Sequence, residues 1–195
     1  MQVLITAATT NLSQQLATDL ALSHQVKLTD LVDCQTDFEF IRSDLNHESE
    51  LPVSSIDAIV HLAQLPILDQ PLNDIVDPAN QALDFQTRCT YNLLQASVEA
   101  QVSNFVFLST MRLFEKLGDN LTLSPRWRTC PTTEPDLLAR HLGEFVCREF
   151  AREGKINITI LRPGKVSQDT ISSAVAQAIT SNQPWQIIHL EEEAG

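Results

Sequence analysis

The first residues that could do chemistry form a small, polar turn from Thr6 to Ser13, close to the start of the chain. An apolar run, Val3 to Ile5, precedes this turn, and residues with helical spacing follow it. A second apolar run then ends on the carboxylate of Asp30. Such a turn can hold a pyrophosphate at the N-terminus of a helix, while the acid accepts hydrogen bonds from ribose hydroxyls. The pattern therefore predicts a βαβ unit of the dinucleotide-binding type.

The turn contains no glycine. In a dinucleotide-binding turn, one glycine allows the tight bend, a second lets the backbone approach the pyrophosphate, and a third lets the helix pack on the strand. A side chain forced into the left-handed conformation costs about 1–2 kcal/mol. Thr10 is the most obstructive residue here, because its branched side chain could occupy the space of a phosphate. We therefore expect a nucleotide-type scaffold whose phosphate site is closed.

Three further residues in the second half of the chain carry side chains that could do chemistry. Asp136 and Arg140 are spaced i, i+4 in a segment with helical pattern. The simplest interpretation is a surface ion pair that contributes about 0.3–0.5 kcal/mol. Ser109 follows an apolar run, but no Gly-x-Ser-x-Gly elbow surrounds it. A hydrolase nucleophile at this serine is therefore not expected.

A basic and aromatic spot lies in a long irregular stretch, where Trp127 is flanked by Arg126 and Arg128. This spot can contact an anion, or the indole can anchor the loop, and we favour the anchor. The histidines and cysteines are scattered without metal-ligand spacing, so we predict no metal site and free thiols. They are His24, His47, His61, His141, His189, Cys34, Cys89, Cys130 and Cys147.

The remaining segments alternate between short apolar runs and longer segments with helical periodicity. We predict strands at 2–5, 25–30, 38–41, 56–63, 104–109, 156–161 and 185–190. Helices are predicted at 12–22, 79–100, 135–153 and 170–180. A proline-rich loop at 66–78, an irregular stretch at 111–133 and an acidic tail at 191–193 complete the pattern. Alternating strands and helices indicate a doubly wound parallel sheet in a three-layer α/β/α arrangement.

Composition limits the classes of partner. The chain has 195 residues, of which 43% are hydrophobic, so we expect one domain over 1–195 without a separate substrate-binding domain. A net charge of −12 disfavours nucleic acid and anionic membranes, which attract clustered Lys and Arg. No stretch approaches the ~20 apolar residues of a membrane span, and no signal peptide is evident. The expected location is the cytoplasm, where thiols stay reduced.

Several motifs resemble the extended short-chain dehydrogenase/reductase family, the NAD-dependent epimerase/dehydratase group. The opening turn matches the family's Thr-Gly-x-x-Gly-x-x-Gly signature, with Thr6 retained and with Ala7, Thr10 and Ser13 in the glycine positions. Five further matches follow in the correct order: Asp30, Asp44-Leu45, His61-Leu62-Ala63, Tyr91 to Ala96, and Arg162-Pro163-Gly164. The resemblance covers residues 1 to 190 and implies a Rossmann-like fold.

The resemblance also implies where a cofactor would lie. The acid at Asp30 would contact an adenosine ribose, which favours NAD over NADP. Because the turn lacks glycine, we expect no cofactor, and NAD if there is one. The positions that would contact it are Thr6, Thr10, Asn11, Leu12, Asp30, Asp44, Leu45 and Ala63.

The family's catalytic centre is altered in this sequence. The family uses a Ser or Thr after the fifth strand, and a Tyr and a Lys four residues apart on the next long helix, for acid–base chemistry with a nicotinamide. Thr110 falls at the hydroxyl position, Asp136 at the tyrosine and Arg140 at the lysine. Asp is ionised near neutral pH, and Arg stays protonated. Tyr91 is the only tyrosine and lies on the preceding helix, so no phenol is expected at the site.

We therefore expect a non-catalytic, C-terminally truncated member of this family that acts in association or regulation. Family members commonly dimerise through a four-helix bundle, which implies a homodimer through the helices near 79–100 and 135–153.

Two alternatives stay open. The first is a sensor or binding module that still holds a dinucleotide or mononucleotide at Asp30, Asp44 and Ala63. The second is an active NAD-dependent epimerase or oxidoreductase whose altered chemistry uses Thr110 and Asp136.

Overall fold

Parallel strands form the centre of the molecule. The computed structural model of the protein describes residues 1–46, 51–65, 77–118 and 121–191. Within these residues, seven strands build one sheet in the order β3-β2-β1-β4-β5-β6-β7, and every neighbouring pair is parallel. The strands are β1 (Gln2–Thr6), β2 (Gln25–Asp30), β3 (Glu39–Arg42), β4 (Ala58–His61), β5 (Asn104–Leu108), β6 (Asn157–Pro163) and β7 (Trp185–Leu190). The predicted fold class is confirmed.

Helices cover both faces of the sheet. On one face lie α1 (Asn11–Leu20) and α5 (Gln168–Ala178). On the other face, α2 (Pro78–Asp84), a π-helical turn (Phe85–Cys89) and α3 (Thr90–Glu99) form one continuous helix, and α4 (Pro135–Arg152) packs against all three parts of it. A 3₁₀ helix (Met111–Leu117) follows β5.

The central strands are apolar throughout because both of their faces are buried. Every residue of β4 and β5 is buried. Along β5, Phe105 and Phe107 contribute to the core beneath α3 and α4. Val106 and Leu108 contribute to the core beneath α1 and α5. The period of two along this strand therefore assigns each side chain to one helical layer.

The predicted elements lie within a few residues of the observed ones, but two details differ. The stretch after β5, predicted to be irregular, contains the 3₁₀ helix, because Leu113 and Phe114 pack on Leu137 of α4 and form a small separate core. The long helix predicted at 79–100 is interrupted by the π-helical turn. His47, most of the predicted loop at 66–78 and most of the acidic tail lie outside the described residues.

The strand order reverses direction between β1 and β4. The chain proceeds from β1 to β2 on one side and continues with β4 on the other side. In doubly wound sheets, ligands bind in the crevice at the carboxyl ends of the strands at such a point. The turn after β1 and the residues after β2 and β4 lie at this crevice. None of the helices in the described part of the chain has the length and apolarity that crossing a bilayer requires.

Candidate functional site

The turn after β1 retains a glycine-type backbone although its residues carry side chains. Ala7 adopts φ +60°, the left-handed region that glycine occupies without strain. Thr10 is the N-cap of α1, where its Oγ1 accepts from the amide of Ser13 at 3.2 Å and donates to the carbonyl of Ala7 at 2.9 Å. A free amide at this helix N-terminus is the group that would hold a phosphate. In this turn, the Thr10 hydroxyl already accepts a hydrogen bond from one such amide, that of Ser13.

The acid at the end of β2 is buried and bonded within the protein. One oxygen of Asp30 accepts from the amide of Thr9 at 2.8 Å and from its hydroxyl at 2.7 Å. The other oxygen accepts from the amide of Leu31 at 2.7 Å. Both carboxylate oxygens therefore have partners, and a ribose hydroxyl would compete with the Thr9 side chain for Asp30.

The segment after β2 closes over the turn from its outer side. The carbonyl of Ala8 accepts from the Gln14 amide at 2.6 Å and from the Cys34 thiol at 3.4 Å. Thr36 donates to the Gln14 side chain at 3.3 Å. Burial, reinforced by the charge of Asp30, raises the pKa of the Cys34 thiol, so this cysteine stays protonated at neutral pH.

The other predicted cofactor positions lie at the carboxyl ends of neighbouring strands. Leu45 and Ala63 are buried and adopt φ +54° and +50°. The carbonyl of Leu45 accepts from the Asn92 side chain at 3.2 Å. Asp44 is exposed and accepts from the amide of Asn46 at 2.9 Å. These residues shape the crevice mainly through their backbone.

Two predicted residues of α1 occupy different environments. Asn11 is exposed at the first position of the helix, while Leu12 is half-buried and packs against the core. Within the described residues, neither side chain forms part of a polar binding site for a cofactor.

A buried histidine lies under the crevice. His61 Nδ1 is 2.9 Å from Thr6 Oγ1, and its Nε2 is 3.0 Å from Thr90 Oγ1. Burial, with a smaller contribution from the charge of Arg140, lowers the pKa of His61 to about 3. His61 is therefore a core histidine with both ring nitrogens within hydrogen-bond distance of a threonine hydroxyl. Its ring lies 5.8–6.4 Å, between centroids, from those of Phe85, Phe105 and Phe107.

The predicted ion pair on α4 is present, but its two ends differ in exposure. Arg140 Nε lies 3.4 Å from the Asp136 carboxylate. The Asp136 side chain is 45% exposed, whereas that of Arg140 is 14% exposed. Arg140 also donates to the carbonyl of Leu108 at 3.0 Å. The prediction of a surface pair is therefore wrong for the arginine, whose guanidinium extends inward to the end of β5.

The hydroxyl and carboxylate at the remaining catalytic positions are also engaged. Thr110 is the N-cap of the 3₁₀ helix and accepts from the amide of Arg112 at 3.2 Å. The guanidinium of Arg112 lies 3.7 Å from Asp136 and 3.1 Å from Glu134. Asp136, the residue that the resemblance aligns with the family's tyrosine, is thus a carboxylate within a group of arginines and acids.

A buried polar network that the sequence did not reveal lies next to these positions. Ser109 donates to Glu144 at 2.5 Å, and Arg162 binds both oxygens of Glu144 at 2.6 and 2.8 Å. Arg162 also lies 3.2 Å from His189 Nε2. The network ties β5, α4, β6 and β7 together. Part of its sequence signal was present, since Arg162 belongs to the matched Arg162-Pro163-Gly164 motif and Glu144 follows Arg140 by one turn of the predicted helix.

Gly143 allows the close packing of α4 beside this network. A Cβ at this position would lie 2.6 Å from the Phe107 ring and 2.9 Å from the carbonyl of Gln86 in the π-helical turn. Among the described residues, no group of three or more His, Cys, Asp or Glu side chains could hold a metal ion. All four cysteines are free thiols.

Comparisons with known proteins agree with this architecture. Solved structures of similar fold include a mutated uronate dehydrogenase, with a TM-score of 0.80 at 17% identity over 98% of this chain and 74% of the other. A UDP-N-acetylglucosamine 4-epimerase from Bacillus cereus has a TM-score of 0.79 at 15% identity, covering 97% and 77% of the two chains. A UDP-glucuronic acid 4-epimerase from Bacillus cereus, in complex with NAD, has a TM-score of 0.77 at 18% identity, covering 97% and 77%.

At these identities the likeness concerns the fold alone. A comparison with curated proteins finds none that matches. The model of the NAD dependent epimerase/dehydratase family matches residues 6–181, which is most of the chain. The protein therefore belongs to the NAD dependent epimerase/dehydratase family.

Proposed function

We propose that this chain is a non-catalytic member of the family, which uses the fold for association or regulation. The observation that most directly supports this proposal is the identity of Asp136 and Arg140, the residues that align with the family's tyrosine and lysine. Asp136 is paired with Arg112 and Arg140, and Arg140 is held by the carbonyl of Leu108. Arg140 carries a guanidinium where the family has a lysine amine, and Asp136 carries a carboxylate where the family has a phenol, so this pair does not reproduce the tyrosine–lysine chemistry. The only tyrosine, Tyr91, packs edge-on against Phe150 on the helical layer.

The residues of the crevice do not fit the NAD that the family implies. The amide of Ser13 is capped by Thr10, and both oxygens of Asp30 are bonded to protein groups. A phosphate that binds the amide of Ser13 would displace the cap formed by Thr10, and a ribose hydroxyl that binds Asp30 Oδ2 would displace the hydroxyl of Thr9. This competition supports the non-catalytic proposal.

Titration of the purified chain with NAD(H) and NADP(H) by calorimetry tests this proposal. We expect no saturable heat from the natural chain. We expect the combined variant Ala7→Gly, Thr10→Gly, Ser13→Gly to gain affinity for NAD, because it removes the cap and the Cβ atoms of the turn. Adding Asp30→Ala to that variant is the matched control and should abolish the gain.

A binding module for a dinucleotide is the second candidate, and the retained acid at the end of β2 favours it. Micromolar NAD binding by the natural chain that disappears in Asp30→Ala would establish this candidate. An active epimerase or oxidoreductase with altered chemistry is the third. Turnover of a nicotinamide at an enzyme-like rate, lost in Thr110→Ala, would overturn the non-catalytic proposal.

We further propose that the chain forms a homodimer through the layer of α3 and α4. Tyr91 on α3 is 50% exposed, although it is a large aromatic residue. Leu138, Leu142 and Val146 are half-buried at i, i+4 and i+8 along α4, which places them on one stripe of the helix. Exposed apolar residues on one helical layer fit a second copy that packs helix against helix.

Light scattering coupled to size-exclusion chromatography tests this assembly. We expect a dimer mass for the natural chain and a monomer mass for the double variant Tyr91→Ser, Leu142→Ser. Leu22→Ser is the control, because Leu22 is an exposed apolar residue in the turn after α1, beside the opposite helical layer. A monomeric natural chain would contradict the dimer without affecting the non-catalytic proposal.

A further inference from the structure

A cavity of about 920 Å³ lies between the loop at 125–129, α4 and β7. Its volume falls within the range of ~300–1,000 Å³ that is typical of small-molecule sites. In the described part of the chain, none of the predicted cofactor positions lines it, and neither do Thr110, Asp136 and Arg140. The cavity is therefore separate from the crevice at the carboxyl ends of β1 and β4.

The walls of this cavity are positively charged in a chain whose net charge is −12. Arg126, Arg128 and Arg148 line it. Arg148 pairs with Glu149 at 3.3 Å, but neither Arg126 nor Arg128 forms an ion pair with any described residue. A site with unpaired guanidinium groups attracts a carboxylate or phosphate, which can accept two parallel hydrogen bonds.

Among the described residues that line the cavity, the one acid does not cancel this charge. Glu144 is buried, and Arg162 already binds both of its oxygens. The neighbouring His141 lies in the same positively charged environment. Burial lowers the pKa of this histidine, and the charges of Arg128, Arg162 and Arg148 lower it further, against a rise caused by Glu144.

The wall also carries two indoles, those of Trp127 and Trp185. Trp127 remains 42% exposed, so it is a poor anchor for its loop. Other residues hold the loop in place. Thr129 Oγ1 lies 2.8 Å from His141 Nδ1 of α4, and the amide of Cys130 donates to the carbonyl of Leu113 at 2.9 Å. The indole of Trp127 is thus left available to contact a flat apolar group.

We propose that this cavity binds a small organic anion that consists of an aromatic ring and a carboxylate or phosphate group. Trp127 and Trp185 supply the apolar contacts of the ring. Arg126 and Arg128 bind the anionic group. The proposal takes up the anion contact that the sequence left open for this spot, in place of the favoured loop anchor.

Intrinsic fluorescence offers a direct test, because the chain contains two tryptophans and both line the cavity. The full chain is titrated with phenyl phosphate, with benzoate and with the neutral benzyl alcohol. We expect a saturable change in emission with at least one anion and none with benzyl alcohol. Tighter binding of phenyl phosphate would assign a phosphorylated ligand, and tighter binding of benzoate a carboxylated one. The absence of a saturable change with both anions would overturn the proposal.

A charge variant identifies the residues that bind the anion. In the double variant Arg126→Gln, Arg128→Gln, we expect the affinity for the better probe to fall about tenfold or more. The matched control Arg42→Gln, Arg152→Gln also removes two exposed arginines, but neither lines the cavity. It should keep the affinity within about twofold. Equal losses in the two double variants would overturn the assignment to Arg126 and Arg128.

Discussion

The turn after β1 and the first half of α4 depart from the family pattern in different ways. In the turn, the glycines are replaced but the backbone keeps its path, with Ala7 in the left-handed region. On α4, the helix is regular, and the change lies in the side chains of Asp136 and Arg140. The turn therefore combines a strained backbone with side chains that form hydrogen bonds within the turn. The first half of α4 combines a regular backbone with charged side chains at two altered positions.

The difference separates side chains that the fold requires from side chains that it does not. One turn beyond Arg140, the buried network of Ser109, Glu144, Arg162 and His189 joins the end of β5, together with β6 and β7, to α4. A paired charge in such a place cannot be altered singly without leaving its partner buried and uncompensated. An exposed side chain such as that of Asp136 carries no such penalty, so the fold tolerates a change there.

The largest expected effect is on the α4 side of this comparison. In Glu144→Gln, Arg162 stays buried without a counter-charge, so we expect a loss of about 3–5 kcal/mol in the free energy of unfolding. Urea denaturation measures this loss. The control is Glu149→Gln, where a more exposed acid on the same helix is removed at a cost below about 0.5 kcal/mol. A loss in Glu144→Gln as small as that in Glu149→Gln would show that the network is not structural.

The second effect concerns the histidine beneath the turn. The pKa of His61 is about 3 in the folded chain and about 6.5 when unfolded, so the folded state binds fewer protons between these values. The stabilisation is complete above pH 6.5 and is lost as the pH falls towards 3. Between pH 7 and pH 5, His61 should lower the free energy of unfolding by about 2 kcal/mol.

Urea titrations of the natural chain and of His61→Gln measure this contribution as a difference in pH dependence. NMR gives an independent reading, since the ring of His61 should not titrate between pH 7 and pH 5. A titration midpoint near 6.5 would contradict the buried, neutral assignment.

A smaller effect tests the strain in the turn. Ala7→Gly should stabilise the fold by about 1 kcal/mol, because φ +60° costs an alanine more than a glycine. Thermal unfolding measures the gain. Ala8→Gly is the control, since Ala8 is fully buried and does not adopt a positive φ, and this change should destabilise by about 1 kcal/mol. If both variants lose stability, the retained backbone path is not strained.

The smallest effect is expected at Asp136, the residue that aligns with the family's tyrosine. Asp136→Asn breaks ion pairs at an exposed carboxylate and should change the free energy of unfolding by at most about 0.5 kcal/mol. Urea denaturation measures the free energy of unfolding of this variant and of Glu144→Gln. The two values show which of these two acids of α4 the fold requires. A loss above 2 kcal/mol would show that Asp136 has become structural.

The order of the elements could be predicted from the sequence because apolar period and turn residues are local signals. The strand predicted at 25–30 is β2, and the helix predicted at 135–153 is α4 with one residue less. Boundaries elsewhere shifted by one to two residues, as at α1 and α5, where the caps Thr10 and Ser167 set the start of each helix.

The candidate site could be predicted as a set of positions but not as a set of contacts. That Asp30 is bonded to Thr9 depends on two segments meeting across the sheet, which no local pattern encodes. The depth of Arg140 depends in the same way on the end of β5. The network of Glu144 and Arg162 was missed because the two residues lie 18 positions apart, and no local pattern shows that they meet when buried.

The π-helical turn at Phe85–Cys89 sets the rotational phase between α2 and α3. Each residue of an α-helix advances about 100° around the axis, and a single wide turn absorbs one extra residue. Deleting one amino acid from this turn would convert it to an ordinary α-helical turn, and the side-chain rows of α2 and α3 would keep their phase. The same deletion inside the regular part of α3 would rotate the rows upstream of it by about 100°, so a one-codon loss within Phe85–Cys89 is a loss that the contact of α2 with α4 can absorb.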